Sequence, residues 1–246
     1  MLWSFVKNTE WEPLLGLLSP TFFDVVPGRM LFGELRGLTS RYLSASTYRD
    51  ACEQRSASLE RAQLPFTIVA ALPKATEPTF DASRGDDLLA LYFHQVLGHG
   101  PVLLDLRASA FERSEGRWLW NPEPAIAAWG DDFRSGCRSL YTGYYTDDAA
   151  RFTAGARALG LGEAEAELRA QFGDPRAVTF SLREFQKRFH AVFQRCKETR
   201  STLHPGFLTL GLGLATLYEH LEMVGVPLDV HAAFDRVHRA QGSEAP

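Results

Sequence analysis

At 246 residues the chain is long enough for one large domain or two small ones. An apolar content of 45%, a charged content of 23% and a net charge of −4 are those of an ordinary globular protein, and with Lys and Arg spread out and no basic stripe they exclude nucleic acid as a partner class. Cys52, Cys137 and Cys196 are too few and too scattered for a disulfide framework or a zinc knuckle, which fits a reducing cytoplasm.

The first residues, MLWSFVKNTEWEP, lack the basic flank and apolar core of a signal peptide, so a cytoplasmic protein is expected. Residues 1–30 hold apolar clusters broken by Pro13, Pro20 and Pro27, and Thr9 with Glu12 reads as a capping box. Trp3, Phe5, Trp11, Phe22 and Phe23 are expected to dock this segment on the core; a surface for a partner or a membrane-surface contact is the alternative. Leu31, Leu35, Leu38 and Tyr42 predict a helix over Met30–Leu43, and Thr47–Gln63 predicts a polar one.

Phe66–Leu72, rich in β-formers and stopped by Pro73, predicts a strand. After a Pro-, Ser- and Asp-rich loop a helix is expected from about Asp86 to Gly98. Pro101–Arg107 and Arg117–Asn121 predict two more strands, with a turn at Ser114–Gly116 between them. Period-two alternation puts Trp118 and Trp120 on one face, expected to be buried. From Asp131 the chain reads as helical to its end. The stripe Phe133, Cys137, Leu140, Tyr141, Tyr144 comes first, then a helix opened by Thr146–Asp147–Asp148, then Glu163–Phe172. Ser181–Arg200 is the cleanest amphipathic helix, with Ser181 and Glu184 as its capping box. Asp229–Ala240 ends the helical run.

Between these last two lies the stretch around which the chain is organised, LHPGFLTLGLGLATLYEHLEMVGV from Leu203 to Val226. Pro205 suits a first helical turn, and Gly225 with Pro227 stops the helix. Apolar residues point in nearly every direction, the mark of a buried helix. A membrane span needs roughly 20 apolar residues, and Glu219, His220 and Glu222 arrive too soon, so no transmembrane segment is expected. One narrow line is polar: Thr209, Thr216, His220. It reads as satisfied core groups or as the wall of a ligand site.

The fold expected is therefore mainly α with a small antiparallel β element: a helical bundle, with residues 1–85 as an N-terminal docking segment and 86–246 as a helical domain, or both as one continuous domain. Conventional chemistry is hard to find. There is no HExxH, no GxSxG and no GxxxxGK[ST], and no Glu-x-x-His pair of the kind that facing helices use for di-metal sites.

Phe93–Asp105, FHQVLGHGPVLLD, has a helix running in, two histidines, two glycines and a strand following. This layout resembles the catalytic loop of the UbiB/AarF-type atypical kinase-like family, which reads approximately FHADPHPGN before a strand, a turn, a second strand and DFG. Phe93 and His94 match the opening pair, and His99 sits near the second histidine with one extra residue between. The strand pair Val102–Leu106 and Arg117–Asn121 corresponds to the family's hairpin, and LHPGFLTLGLGLATLYEHLE is similar to its late helix, so the likeness spans about Leu88 to Asp229. The departures fall on the chemistry. Val96 or a neighbour stands for the loop aspartate, Pro101 or Val102 for the metal-binding asparagine, and Asn121–Pro122–Glu123 for DFG. Phosphoryl transfer depends on those metal ligands and that base. The resemblance therefore implies a kinase-like C-lobe without catalysis, a pseudokinase. The same stretch also reads as a plain helix–turn–strand junction in which Gly98 and Gly100 serve the turn.

Two functions follow. One is a non-catalytic binding or scaffold protein that contacts another protein or a small lipophilic ligand, with His94, His99, Asp105, Thr209, Thr216 and His220 as candidate ligand residues. The alternative is a helical enzyme with a bound metal or cofactor of unspecified identity, held by His190, His204, Glu219 and His220.

Overall fold

The computed structural model describes residues 24–26, 28–42, 44–73 and 79–242. The capping box at Thr9 and the five aromatics of the docking segment lie outside the described residues. Among those described the chain forms nine α-helices and five short strands, a mainly α architecture with a small β element. No helix among them is long and apolar enough to cross a membrane.

Two helices come first, α1 (Gly28–Tyr42) and α2 (Ala45–Arg61), the second opened by Ser44, whose hydroxyl accepts from the Thr47 amide at 3.3 Å. Strand β1 follows, confined to Phe66–Ile68. Helix α3 (Ala82–Leu97) begins four residues before the Asp86 predicted for it, because the Asp81 carboxylate accepts from the Arg84 amide at 2.9 Å and caps it there. Its second half is buried without interruption from Leu88 to Leu97.

The β element differs in pairing from the expected hairpin. Strand β2 is only Val102–Leu103, and it pairs antiparallel with β5 (Ile126–Ala127) rather than with the tryptophan strand. The hairpin partner of β4 (Arg117–Trp120) is β3 (Phe111–Ser114), a strand whose charged FERS sequence hides it. Glu115 and Gly116, both at positive φ, make the two-residue turn that joins them. β1 then adds to the free side of β4 in parallel, giving the order β1-β4-β3. Thus one pairing is parallel within an otherwise antiparallel element. Trp118 and Trp120 share the inner face and are buried, as alternation predicts.

The shortness of β2 has a cause on the opposite helix. The Leu104 amide still donates to the Ala125 carbonyl at 2.9 Å, but the Leu104 carbonyl and both Leu106 backbone groups find their partners in side chains rather than in a strand. Thr216 Oγ1 donates to the Leu104 carbonyl at 2.7 Å and accepts from the Leu106 amide at 3.2 Å, and His220 Nδ1 bonds the Leu106 carbonyl at 2.9 Å. Buried backbone groups need partners, and here a helix supplies them.

The remaining helices are α4 (Asp131–Tyr145), α5 (Ala149–Ala158), α6 (Glu165–Phe172), α7 (Leu182–Glu198), α8 (Phe207–Val224) and α9 (Val230–Gly242). α4 and α5 meet backbone to backbone. A Cβ on Gly155 would lie 2.3 Å from the Leu140 nitrogen, and one on Gly143 2.2 Å from the Phe152 nitrogen, so both positions require glycine. α7 is capped by Ser181 as its sequence announces. α8 is the hub: thirteen of its eighteen residues are buried, and Gly225 ends it in the left-handed conformation at φ 69°.

Residue 85, the expected meeting point of the docking segment and the helical domain unless both form one continuous domain, has continuous structure around it. It falls inside α3, and the preceding chain contributes β1 to the sheet and Ala51, Leu59 and Phe66 to the same core.

Candidate functional site

The polar line of α8 lies wholly inside the protein. Thr209 accepts from the Trp129 indole at 2.8 Å and donates to the Gly206 carbonyl at 3.0 Å. Thr216 holds the Leu104–Leu106 backbone. His220 Nε2 accepts from Arg84 Nε at 2.6 Å, so its proton sits on Nδ1, facing the Leu106 carbonyl. Burial, and then the Arg84 charge, push the imidazole pKa down to about 3, which keeps the ring neutral. Arg84 is itself buried and lies over the Phe80 and Trp118 rings. These three candidates therefore serve the interior, where their polar atoms are already partnered.

Asp105 is equally enclosed. Its carboxylate takes Arg107 Nε at 2.8 Å, Arg107 Nη2 at 3.0 Å and the Glu123 amide at 3.0 Å, and its carbonyl accepts from the Trp120 indole at 2.9 Å. A carboxylate so occupied, and 1% exposed, has no lone pair turned to a substrate.

His94 and His99 are brought together, on one cleft of about 780 Å³ between α2, α3, α4, α5 and α9. His94 is nearly buried and shares a hydrogen bond with the Ser58 hydroxyl at 2.8 Å. Burial, with Arg55 and Arg61 nearby, lowers its pKa to about 4. His99 stands at the rim against the Arg138 guanidinium, 3.1 Å from its Nη2. Beside them the turn Leu97–Pro101 is held by a clasp of arginines. Arg138 donates to the carbonyls of Leu97 and Gly98, Arg134 to those of Gly98 and Gly100, and Arg55 to those of His99 and Pro101. Gly100, at φ 84°, lets the turn close.

The residues proposed for a metal do not converge. His190 is exposed on α7, His204 pairs with Asp132 at 3.2 Å, Glu219 sits half-buried one residue from His220, and His220 is locked against Arg84. Among the described residues no group of three His, Cys, Asp or Glu is placed to hold a metal ion.

A cavity that sequence reasoning missed lies under α6 and α7. It has a volume of about 90 Å³ and is walled by Tyr92, Tyr141, Phe185, Leu214 and Tyr218 among others. It shares Gln171, Phe172, Phe185 and Tyr218 with an outer mouth of about 230 Å³ at the connection between α6 and α7, where Asp174 and Arg188 stand. Burial raises the Tyr92, Tyr141 and Tyr145 hydroxyls, and takes Tyr218 up to about 12, so all four remain neutral phenols. Tyr92 and Tyr141 share one hydrogen bond at 2.5 Å. At the throat, Gln171 Oε1 is buried without a hydrogen-bond partner. The Gln171 amide already interacts with the Tyr218 hydroxyl, and Oε1 is the end of it left over; a buried acceptor without a partner costs about 1–3 kcal/mol. The signal was diluted because the walls come from α3, α4, α6, α7, α8 and α9, and each residue alone reads as ordinary core.

No protein-family model matches the chain, and a search of curated proteins finds no match either.

Proposed function

We propose that the protein is a non-catalytic binding domain that takes a small lipophilic molecule carrying a single hydrogen-bond donor. The observation behind this reading is the aromatic cavity with Gln171 Oε1 unpaired at its throat. Ligand sites are mostly apolar clefts with a few placed polar groups, and the mouth and cavity together have that character. The apolar body would displace nothing but weak contacts inside, while the donor would satisfy Gln171.

Titration with N-phenyl-1-naphthylamine, an apolar fluorophore with one N–H that would occupy the mouth of about 230 Å³ as well as the cavity of about 90 Å³, tests it. Saturable 1:1 binding is expected, lost in Leu214→Trp, which fills the cavity, and weakened roughly tenfold in Gln171→Leu by removal of one hydrogen bond. Non-saturable binding, or binding unchanged by Leu214→Trp in a protein that melts normally, rejects the reading.

A kinase-like ancestry is a second reading, favoured by one observation. Helix α3, strand β2, a loop, the β3–β4 hairpin and strand β5 succeed one another, and the loop reads Asp105-Leu106-Arg107-Ala108-Ser109-Ala110. Protein kinases place D-L-x-x-x-N in a catalytic loop, with DFG later. Asp105 is then a better counterpart of the loop aspartate than Val96. Ala110 would replace the metal-binding asparagine, and Asn121 the DFG aspartate. With Asp105 tied to Arg107, such a centre would bind no nucleotide productively, and a melting temperature unmoved by Mg–ATP is expected.

A further inference from the structure

The arginine clasp and the cleft beside it carry a charge imbalance. None of the fourteen residues lining the cleft is acidic, although the whole chain holds 30 acids against 26 basic residues. Arg61 from α2, Arg138 from α4 and Arg151 from α5 converge on it, with His94, His99 and His238 between them. Directly behind the rim, Arg55 is 1% exposed, and its Nε and Nη1 have no partner. The partners that Arg55, Arg134 and Arg138 do have are neutral: six backbone carbonyls and one imidazole. Among the described residues, no carboxylate forms an ion pair with Arg55, Arg61, Arg134, Arg138 or Arg151.

Asp131 lies near Arg134 but forms no ion pair with it, and positive charge gathered with so little counter-charge, part of it out of water, is unfavourable until an anion arrives. Burial and the neighbouring Arg134 lower the Arg55 pKa to about 10, which still leaves it charged at neutral pH. We propose that this cleft binds a soluble phosphorylated small molecule. Guanidinium forks match phosphate oxygens bidentately, and three of them on separate helices suit a ligand with more than one negative oxygen cluster. The volume of about 780 Å³ is that of a site for a metabolite rather than for a lone ion. Gln54, Ser58, Thr142 and Gln241 add neutral hydrogen-bonding groups on the same wall, suited to hydroxyls of the ligand body. The cleft is distinct from the aromatic cavity, with which it shares no lining residue.

Calorimetric titration of the full chain with pyrophosphate tests the assignment. Arg61 and Arg151 are exposed and make no side-chain hydrogen bond among the described residues, so Arg61→Gln and Arg151→Gln should melt as the parent does. Saturable binding to the parent is expected, weakened roughly tenfold in each variant, as for loss of one charge-assisted hydrogen bond. Arg176→Gln, exposed and outside the cleft, should bind as the parent. Absence of pyrophosphate binding, or equal binding by all three variants, overturns the proposal. Sedimentation with vesicles carrying a phosphorylated inositol headgroup separates the sources: co-sedimentation without binding of soluble pyrophosphate overturns the assignment to a soluble ligand.

Discussion

Arg84 and His220 meet at 2.6 Å inside the protein, a cation donating to a neutral ring across 136 residues of sequence. The pairing fixes which imidazole nitrogen carries the proton and makes the core intolerant of a second one. His94, beneath Arg55 and Arg61, is under the same constraint.

Acid should therefore destabilise the fold earlier than carboxylate titration alone would. In the unfolded chain both rings take protons near pH 6.5, whereas in the folded chain they resist to about 3 for His220 and about 4 for His94. Their folded pKa values are depressed, so the stability they contribute is complete above about pH 6.5 and is lost as the pH falls toward 4. Melting temperature measured between pH 7.5 and 4.5 should fall steadily, and His94→Gln should flatten the profile. A flat profile for the parent contradicts the assignment.

Asp105→Asn removes the buried partner of Arg107 while keeping the shape of the side chain. Breaking a buried ion pair from one side costs roughly 3–5 kcal/mol, and the low end is expected because Glu123 stands 4.0 Å from Arg107 Nη2. Urea denaturation reads the loss as a lower midpoint with an unchanged slope.

Thr216→Val keeps the volume and deletes the hydroxyl. The Leu106 amide then loses its bond to that hydroxyl in the core, and a cost of about 1–3 kcal/mol is expected for a buried donor left unmade. Ser in place of Thr should restore most of it, which separates hydrogen bonding from packing.

Gly155→Ala adds one methyl group between α5 and α4, where the nearest obstacle is the Leu140 backbone nitrogen at 2.3 Å. Backbone cannot rotate aside as a side chain can. The two helices must part, at about 3 kcal/mol or more, the upper end for overpacking. The same substitution at Gly33, which has open space around it, should gain stability slightly. Thermal melts of the two variants compare them directly.

The helical part of this fold is largely legible in the sequence. Ser181, Gly225 and the apolar wrap of Phe207–Val224 announce α7 and α8 because caps and periodicity are local properties. The β element is less so. The pairing of β2 with β5, and of β1 with β4, is decided by tertiary contacts, and the early end of β2 by Thr216 and His220, more than a hundred residues away. Among the candidate site residues, Thr209, Thr216 and His220 belong to one line as their spacing indicates. That the line faces a backbone instead of a ligand is information held in α8 and the 104–106 loop jointly. The arginine clasp was invisible for the same reason: Arg55, Arg134 and Arg138 converge on one turn from two helices, and nothing in their spacing reports it.

The parallel seam between Phe66–Ile68 and Trp118–Trp120 joins portions of chain 52 residues apart. A fragment beginning at residue 86 would leave the tryptophan strand with one side bare, its amides and carbonyls offered to any other chain in solution. Expression of the later part alone should thus yield clumped material, and Phe66–Ile68 acts, in effect, as a built-in guard for that exposed rail.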